Sequence, residues 1–345
     1  MNDNTITRSL YAYVKTIGNA AAPGQIGFRN PVSIALGKDD LIYVLSHAAE
    51  NVSNNKRIAK FTYENEDFIS EFGALGSSAG EFTWPNSLVA DLEGNVYVTD
   101  EWLNRISVFD HNGKFLRWWG KQGTGIGEWN RPAGLVLDRD ENILVADSFN
   151  HRIQKFTKYG EYLGEWGEFG KKAGQFDTPW GVSVDTEWNI FVADWRNDRI
   201  QKFTPDGDYL MQIGESGNQP GQFHRPSDVA IDHKGCIYVV DWGNDRVQVF
   251  DRNGNFITLF TGDAGMSKWG EDRRFSNPEH MIEQRQQALT MDPEKLFVQP
   301  VAVVVDRNQR IIIVDSARHR LQVYQRSDTL EMLFYDLPKP LSHPL

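Results

Sequence analysis

The chain has 345 residues, of which 36 are Lys or Arg and 47 are Asp or Glu, so its formal net charge is −11. This acidity disfavours nucleic acid and anionic membrane surfaces as partners, because both carry dense negative charge. No apolar run approaches the roughly 18 residues of a membrane-spanning helix, and the N-terminus contains no hydrophobic signal segment. We therefore expect a soluble, cytoplasmic protein that binds neither nucleic acid nor a membrane.

A pattern of 47 residues repeats along the chain from residue 84 to residue 250. Prolines and arginines recur at this spacing, at Pro85, Pro132, Pro179 and Pro226 and at Arg105, Arg152, Arg199 and Arg246. Two further copies begin at Pro31 and Pro300 once insertions are allowed. A repeat of this length indicates an array of similar small sheets.

Each unit predicts four short strands. Apolar and polar residues alternate with a period of two, the runs are rich in Val, Ile, Tyr and Phe, and Gly, Asn and Asp occupy the turns. Four-stranded sheets arranged radially, each burying its faces against its neighbours, form a β-propeller. We expect an all-β fold, one six-bladed propeller domain over residues 1–345, with blades that begin near residues 31, 85, 132, 179, 226 and 300.

The segment AGQFDTPWGVSVDTEWNIFVADWRNDRIQKF, residues 173–203, closely resembles the NHL repeat. The resemblance covers the later units well and the first unit loosely. It implies a six-bladed propeller of the NHL type. It implies no particular function, because related propellers serve as lyases, ligand-binding proteins and partner-docking scaffolds.

Both ends of the chain offer an outermost strand to the last blade. Residues 11–18 resemble the fourth strand of a blade, and residues 323–334 align without a gap on residues 249–260. We favour the N-terminal segment, because pairing the first strand with the last blade closes an otherwise open circle. The C-terminal segment would then lie outside the ring.

An Asp and an Arg flank the loop between the second and third strands in five units. The pairs are Asp100 with Arg105, Asp147 with Arg152, Asp194 with Arg199, Asp241 with Arg246, and Asp315 with Arg320. A feature present in most blades is best explained by blade construction, so we interpret these as structural ion pairs that hold each loop. Function is expected where the repeat is broken.

Two large departures from the repeat fall on the face that carries the inter-blade connections. In the first blade the loop of residues 46–57 is enlarged, and residues 261–297 are inserted between the fifth and sixth blades. Asn277 as a cap and Pro278 in the first turn predict a short amphipathic helix that ends before Pro293. We interpret the insertion either as a lid over the channel mouth or as a surface decoration or subunit contact, and favour neither.

Aromatic residues are concentrated on the same face. Those just after the repeated Asp are Trp102, Phe149, Trp195 and Trp242, and Trp180 follows Pro179 at the start of an innermost strand. Together they predict an aromatic-lined pocket at the channel mouth that stacks on a flat or apolar ligand. The alternative is that these side chains pack between blades.

Polar side chains near the mouth are the candidates for chemistry. Asp228 is the clearest, because the equivalent positions hold only small groups: Ser33, Ser87, Gly134, Gly181 and Ala302. We predict that Asp228, Glu101 or His47 supplies proton transfer or a metal ligand in a partly dry pocket. Asn86 and Arg196 are predicted ligand contacts, and His224 and His280 are further polar candidates.

The sequence contains no recognisable metal motif. The peptidyl-α-hydroxyglycine lyases are similar in fold and bind zinc through histidines directly after the blade proline. The equivalent positions here are Val32, Asn86, Ala133, Trp180, Ser227 and Val301, so that zinc site is not expected. The alternative that a divalent metal binds in the central channel is left open. Cys236, the single cysteine, is interpreted as a buried filler.

Two functions from different classes remain open. The first is small-molecule binding in the aromatic pocket, with a lyase-like or hydrolase-like reaction as an extension of it. The second is an interaction scaffold that docks a peptide or protein partner on the same face. The absence of an obvious recruiting domain favours the first.

Overall fold

The computed structural model describes residues 10–21, 26–47, 56–270 and 292–327. Within these ranges the chain forms six four-stranded antiparallel sheets. Their innermost strands contact one another in sequence, and the sixth contacts the first, so the sheets form a closed ring. The predicted six-bladed β-propeller of four-stranded blades is confirmed.

The strands follow the repeat closely. A first strand, β1 (Tyr11–Ile17), precedes the first blade, which consists of β2 (Pro31–Leu36), β3 (Leu41–Ser46), β4 (Arg57–Thr62) and β5 (Phe68–Phe72). A parallel pair, β6 (Ala74–Leu75) and β7 (Glu81–Phe82), leads to the second blade, β8 (Pro85–Ala90), β9 (Val96–Asp100), β10 (Arg105–Phe109) and β11 (Phe115–Trp119). A second parallel pair, β12 (Lys121–Gln122) and β13 (Glu128–Trp129), precedes the third blade, β14 (Pro132–Leu137), β15 (Ile143–Asp147), β16 (Arg152–Phe156) and β17 (Tyr162–Trp166).

The fourth blade consists of β18 (Pro179–Val184), β19 (Ile190–Asp194), β20 (Arg199–Phe203) and β21 (Tyr209–Ile213), and the fifth of β22 (Pro226–Ile231), β23 (Ile237–Asp241), β24 (Arg246–Phe250) and β25 (Phe256–Phe260). The sixth contains β26 (Pro300–Val305), β27 (Arg310–Asp315) and β28 (Arg320–Arg326). Short 3₁₀ helices occupy Ser148–Asn150, Trp195–Asn197, Trp242–Asn244 and Ser316–Arg318, and Asp292–Lys295 form a single α-helical turn.

The N-terminal strand closes the ring. β1 pairs antiparallel with β28, from Tyr11 opposite Arg326 to Ile17 opposite Leu321. Beyond the strand, the N–H of Ser327 donates to a carbonyl just before β1 over 2.8 Å. The prediction that the N-terminal segment closes the circle is confirmed. The alternative C-terminal outer strand falls on residues 328–345, which lie outside the described residues.

Four of the five predicted ion pairs form. In the fourth blade, Oδ2 of the fully buried Asp194 accepts from Nε of Arg199 over 2.8 Å, while Oδ1 accepts the N–H of Asp177. The same pairing joins Asp147 to Arg152, Asp241 to Arg246 and Asp315 to Arg320. These carboxylates hold the loops that carry the aromatic residues of interest.

The fifth pair, Asp100 with Arg105, does not form, which corrects the sequence interpretation. Asp100 accepts backbone N–H groups on both sides of its loop, including those of Trp84 and Leu103. At the position of Leu103 the third, fourth and fifth blades carry Asn, and Asn197, for example, donates its side-chain amide to Asp194. The Asp100 carboxylate is satisfied by backbone N–H groups instead, and Arg105 donates to loop carbonyls.

A recurrent hydrogen bond joins neighbouring blades next to the blade prolines. The residue before the proline has a left-handed backbone and donates its N–H to a side chain of the preceding blade. The donors and acceptors are Asn30 and His319, Arg131 and Asn104, Thr178 and His151, Arg225 and Asp198, and Gln299 and Asp245. Both histidines accept through Nδ1, which must be unprotonated to do so.

The start of the insertion packs into the core between the sixth and first blades. Trp269 is 8% exposed and contacts the rings of Phe28 and Phe61, and its indole N–H donates to the carbonyl of Glu66 over 3.0 Å. The N–H of Gly265 reaches a hydroxyl on β1. This stretch therefore follows the outer strand of the sixth blade.

Residues 271–291 lie outside the described residues, and with them the predicted helix, His280 and most of the insertion 261–297 that was interpreted as a lid. Pro293 itself lies within the short helix Asp292–Lys295. A proline is tolerated in the first turn of a helix, because its missing N–H would have no intrahelical partner there.

Candidate functional site

The innermost strands β2, β8, β14, β18, β22 and β26 line a central channel of about 320 Å³. All six begin at the blade proline, and we call the channel end at these prolines the mouth. The inter-blade connections and the loops between second and third strands surround the mouth, and we call this surface the top face. Most residues along the channel wall are aliphatic, although polar atoms supply more than half of its exposed surface, and Asp228 is its one charged residue among those that the structure describes.

Three tryptophans form a row on the top face across the fourth and fifth blades. The ring centroids of Trp180 and Trp195 are 5.9 Å apart with planes at 32°, and those of Trp195 and Trp242 are 6.4 Å apart at 48°. All three side chains are half-buried. Trp195 and Trp242 each begin a 3₁₀ turn directly after a fully buried Asp, so anchored loops hold both rings. We refer to these three residues as the tryptophan row.

Two guanidinium groups lie over the central ring of the row. Cζ of Arg225 is 4.7 Å from the ring centroid of Trp195, and Cζ of Arg196 is 5.8 Å from it. Both arginines are exposed. Within the described part of the chain, neither guanidinium has a hydrogen-bond or ion-pair partner. Both are therefore available to a ligand.

Arg196 was predicted as a ligand contact, whereas Arg225 was missed. The signal for Arg225 is its position directly before the blade proline, beside the mouth. The equivalent residues are Asn30, Trp84, Arg131, Thr178 and Gln299. An arginine there in two blades of an acidic protein is a departure from the repeat that sequence comparison could have found.

Asp228 lies in the channel wall beside the row. Its Oδ2 accepts the N–H of Val303 in the sixth blade over 3.0 Å. Gly181, which follows Trp180, lies so close to Oδ1 that a Cβ there would be 2.5 Å from it. Burial raises the pKa of Asp228 to about 7, although the N–H groups of Val303 and Val229 act to lower it. Such a carboxyl can release and take up a proton near neutral pH.

Asp228 also helps to join two blades. In the first blade, Ser33 occupies the same position, and its Oγ accepts the N–H of Leu88 in the second blade over 3.3 Å. Both Asp228 and Ser33 lie at an irregularity in strand pairing just after the blade proline. The carboxylate therefore performs the same contact with one oxygen, and has a second oxygen that serine lacks.

A second polar group lies on the second and third blades. Nδ2 of Asn86 donates to Oε2 of Glu101 over 3.3 Å, and Arg131 lies 3.9 Å from the other carboxylate oxygen. Glu101 is 7% exposed, and burial raises its pKa while Arg131 and Asn86 act to lower it. Cζ of Arg131 is 5.0 Å from the ring centroid of Phe149. No hydrogen bond or ring contact between described residues joins this group to the tryptophan row.

Among the described residues, His47 and Trp102 make no side-chain hydrogen bond or ring contact with either group, although Trp102 follows Glu101 in the chain. His47 packs edge-on against Trp84 with ring centroids 4.0 Å apart, and burial together with Lys56 lowers its pKa to about 4. The imidazole is therefore neutral at pH 7 and a weak proton acceptor. Trp102 is 63% exposed, so the interpretation as inter-blade packing does not hold for it.

Metal binding has no preformed cluster in the part of the chain that the structure describes. No three His, Cys, Asp or Glu side chains converge there as metal ligands. Cys236 is a free thiol and is 7% exposed, as a buried filler should be. The described ranges also contain no helix with the length and hydropathy needed to cross a bilayer.

Two family models match the chain. A 6-bladed β-propeller family matches residues 85–167 and 184–258, and the NHL repeat matches residues 297–324. No curated protein matches it.

Solved structures of similar shape include a streptogramin B lyase, 14% identical over 92% of this chain and 98% of its own, with a TM-score of 0.57. Virginiamycin B lyase from Staphylococcus aureus is 12% identical over 91% and 99%, with a TM-score of 0.57. A protein of unknown function from Bacteroides thetaiotaomicron is 16% identical over 91% and 75%, also with 0.57. At these identities the likeness concerns the fold alone. The 47-residue repeat, the closed ring of six blades and the family matches identify the chain as an NHL-repeat six-bladed β-propeller.

Proposed function

We propose that the protein binds a small molecule with a flat or apolar portion at the mouth of the propeller channel. The observation that carries the proposal is the tryptophan row, in which three half-buried rings lie within 6.4 Å of their neighbours across two blades. Indole faces stack favourably on flat ligands, by about 0.5–1.5 kcal/mol for each aromatic pair beyond area burial. Because buried ion pairs anchor the loops of Trp195 and Trp242, little ordering of the loop backbone is needed on binding.

The channel beside the row suits the same ligand. Its volume of about 320 Å³ is at the lower end of the roughly 300–1,000 Å³ of small-molecule pockets. Apolar groups of the ligand would contact the aliphatic side chains of the wall, and polar groups would contact Asp228 and the other polar atoms that line it. These features support a pocket for a ligand that has both apolar and polar parts.

A lyase-like or hydrolase-like reaction is an extension of this proposal, with Asp228 as the proton-transfer group. Its pKa of about 7 and its place beside Trp180 favour it over the other two candidates. The Glu101 carboxylate is engaged by Asn86 and lies near Arg131, which favours its charged form. His47 has a pKa of about 4 and is therefore a weak proton acceptor at pH 7. The two lyases of similar fold show that this architecture hosts such chemistry in other proteins.

A docking site for a peptide or protein is the second candidate. Trp102 and Phe169 are 63% and 66% exposed, and both lie in loops of the top face. Large exposed aromatics are enriched in protein interfaces. No ring contact between described residues joins Trp102 to the tryptophan row, so variants at Trp102 and Trp195 distinguish the two candidates.

A library of aromatic fragments, examined by ligand-observed NMR, tests the pocket. Binding should be lost in Trp195→Ala and retained in Trp118→Ala. Trp118 is a matched control, since it is 44% exposed on the outer strand β11 and also carries an arginine, Arg105, 4.5 Å from its ring. The proposal would be overturned if no fragment bound the wild type, or if the fragments bound Trp195→Ala and Trp118→Ala equally well. If the wild type and Trp195→Ala bind a peptide or protein partner and Trp102→Ala does not, the docking function is supported instead.

A further inference from the structure

We propose that the ligand of the tryptophan row carries an oxyanion, a carboxylate or a phosphate group, and that Arg225 and Arg196 bind it. The inference rests on the proposed function and specifies its ligand. It starts from the two guanidinium groups over Trp195, at 4.7 and 5.8 Å, which make no hydrogen bond or ion pair with any described residue. A guanidinium held against a ring face keeps its N–H edge free for hydrogen bonds in the plane.

Other arginines stacked on aromatic rings differ in this respect. Arg105 lies over Trp118 but donates to three loop carbonyls, and Arg117 lies over Tyr159 but donates to the carbonyl of Lys158. Arg131 and Arg310 also stack on rings, and each faces at least one carboxylate. In those four cases the stacked guanidinium is part of the protein's own structure. The guanidinium groups of Arg225 and Arg196 over Trp195, by contrast, use none of their N–H donors within the described residues.

The charge of the protein makes the pair unusual. The chain has a net charge of −11, yet neither guanidinium over Trp195 is neutralised by a described carboxylate. Asp198 is close in the fold, but its oxygens accept the backbone N–H of Arg225 and the hydroxyl of Ser216, both over 2.7 Å. Two positive groups without partners on an acidic surface form a local site for an anion.

The geometry points to one arrangement of the ligand. Planar guanidinium groups match carboxylates and phosphates through paired N–H···O bonds. An oxyanion bound at Arg225 would lie beside Trp195, and a flat body attached to it would cover Trp180 or Trp242. The row and the two arginines therefore form a single site for an aromatic or apolar molecule with an acidic group.

Three probes of one shape test this inference by isothermal titration calorimetry. They are 2-naphthoate, 2-naphthyl phosphate and the neutral 2-naphthamide. At least one anion should bind about tenfold more tightly than the amide, because hydrogen bonds to charged groups are stronger than neutral ones. The anion that binds better shows which acidic group the site prefers.

Variants assign the preference to the site. Arg225→Gln and Arg196→Gln should each reduce the anion-to-amide ratio and together bring it close to one. Arg139→Gln is the matched control, since this exposed arginine lies in a turn at the opposite end of its strands and removes the same charge. The control should leave the ratio unchanged.

The outcomes separate the two proposals. If the amide binds as tightly as both anions and Trp195→Ala abolishes all binding, the oxyanion inference fails and the aromatic pocket stands. An anion preference that persists in the double arginine variant places the anion elsewhere and also overturns the inference. If none of the probes binds the wild type, the pocket and the inference both fail.

Discussion

Asp228 combines two roles that the other blades keep apart. Its Oδ2 accepts the N–H of Val303, as Ser33 accepts that of Leu88, so the residue belongs to the junction between blades. Its carboxyl also lines the channel and has a pKa raised to about 7 by burial. A serine would satisfy the junction alone, and an ionisable group adds the ability to exchange a proton beside the tryptophan row.

Replacement of Asp228 by Asn tests the raised pKa through stability. Asn keeps an oxygen for Val303 and cannot ionise. Because the native pKa is about 7 and the unfolded pKa is about 3.9, the native state holds the proton more tightly. The stability of the wild type should therefore fall as pH rises from about 4 to about 7. We therefore expect the difference in the free energy of unfolding between Asp228→Asn and the wild type to shift in favour of the variant by about 2 kcal/mol from pH 5 to pH 8.

Urea unfolding of both proteins at pH 5, 6.5 and 8 measures this gain. Parallel stability profiles would show that the carboxyl ionises normally, and Asp228 would then lose its case as the proton-transfer group. Activity or ligand binding need not be known for this measurement.

The hydrogen bonds between neighbouring blades depend on pH at two junctions. Nδ1 of His151 accepts the N–H of Thr178 over 3.1 Å, and Nδ1 of His319 accepts that of Asn30 over 2.9 Å. Burial lowers the pKa of both histidines. The charge of Arg196 further lowers the pKa of His151, whereas Asp177 and Asp147 act to raise it. The charge of Arg29 further lowers the pKa of His319, whereas Asp315 acts to raise it.

The sign of the effect follows from these lowered values. As pH falls below the unfolded pKa of about 6.5, the unfolded state takes up protons that the native state refuses, so stability is lost. The second blade offers a neutral substitute, because Oδ1 of Asn104 accepts the same bond over 2.9 Å. The variant His151→Asn/His319→Asn should therefore lose less stability between pH 7 and pH 5 than the wild type, as measured by thermal unfolding. An unchanged slope would contradict the role of the histidines.

The insertion between the fifth and sixth blades is in part a core element. Trp269 is 8% exposed between Phe28 and Phe61. Trp269→Ala should lower the free energy of unfolding by about 3–5 kcal/mol, as for other buried large side chains. Trp102→Ala is the control, because Trp102 is 63% exposed, and should change it by no more than about 0.5 kcal/mol. Denaturant titration of the two variants distinguishes a core residue from a surface decoration.

Closure of the ring depends on β1. Tyr11 and Ile17 are 8% and 0% exposed and belong to the clusters on either side of the sixth blade. A chain that begins at residue 19 would expose the edge of β28 and lose both contacts. We expect it to aggregate or to melt well below the wild type. A chain that ends at Ser327 keeps the complete ring and should have a melting temperature close to that of the wild type.

Size-exclusion chromatography and circular dichroism compare the two truncated chains. If both melt alike, β1 is not required to close the ring, and the pairing with β28 contributes little. Because the two truncations remove 18 residues each, the comparison is matched for length.

Part of the candidate site could be predicted from the sequence, and part could not. The aromatic residues that break the repeat identified the tryptophan row, and the carboxyl at Asp228 was found because other blades carry only small groups there. The unused donors of Arg225 could not be predicted, since free and paired arginines look alike in a sequence. The same limit applies to Asp100 with Arg105, where spacing predicted an ion pair that backbone donors replace.

The sequence by itself determined the architecture, because a 47-residue period with strand alternation admits only a radial array of four-stranded sheets, and the copies number six. It also determined which face departs from the repeat. Only the tertiary structure decided which of those residues act together, since contacts across blades join distant positions, such as Asp228 and Val303, which lie 75 residues apart. Stacking over Trp195, the partial burial of Asp228 and the place of Trp269 in the core all depend on such contacts, for which the repeat carries no signal.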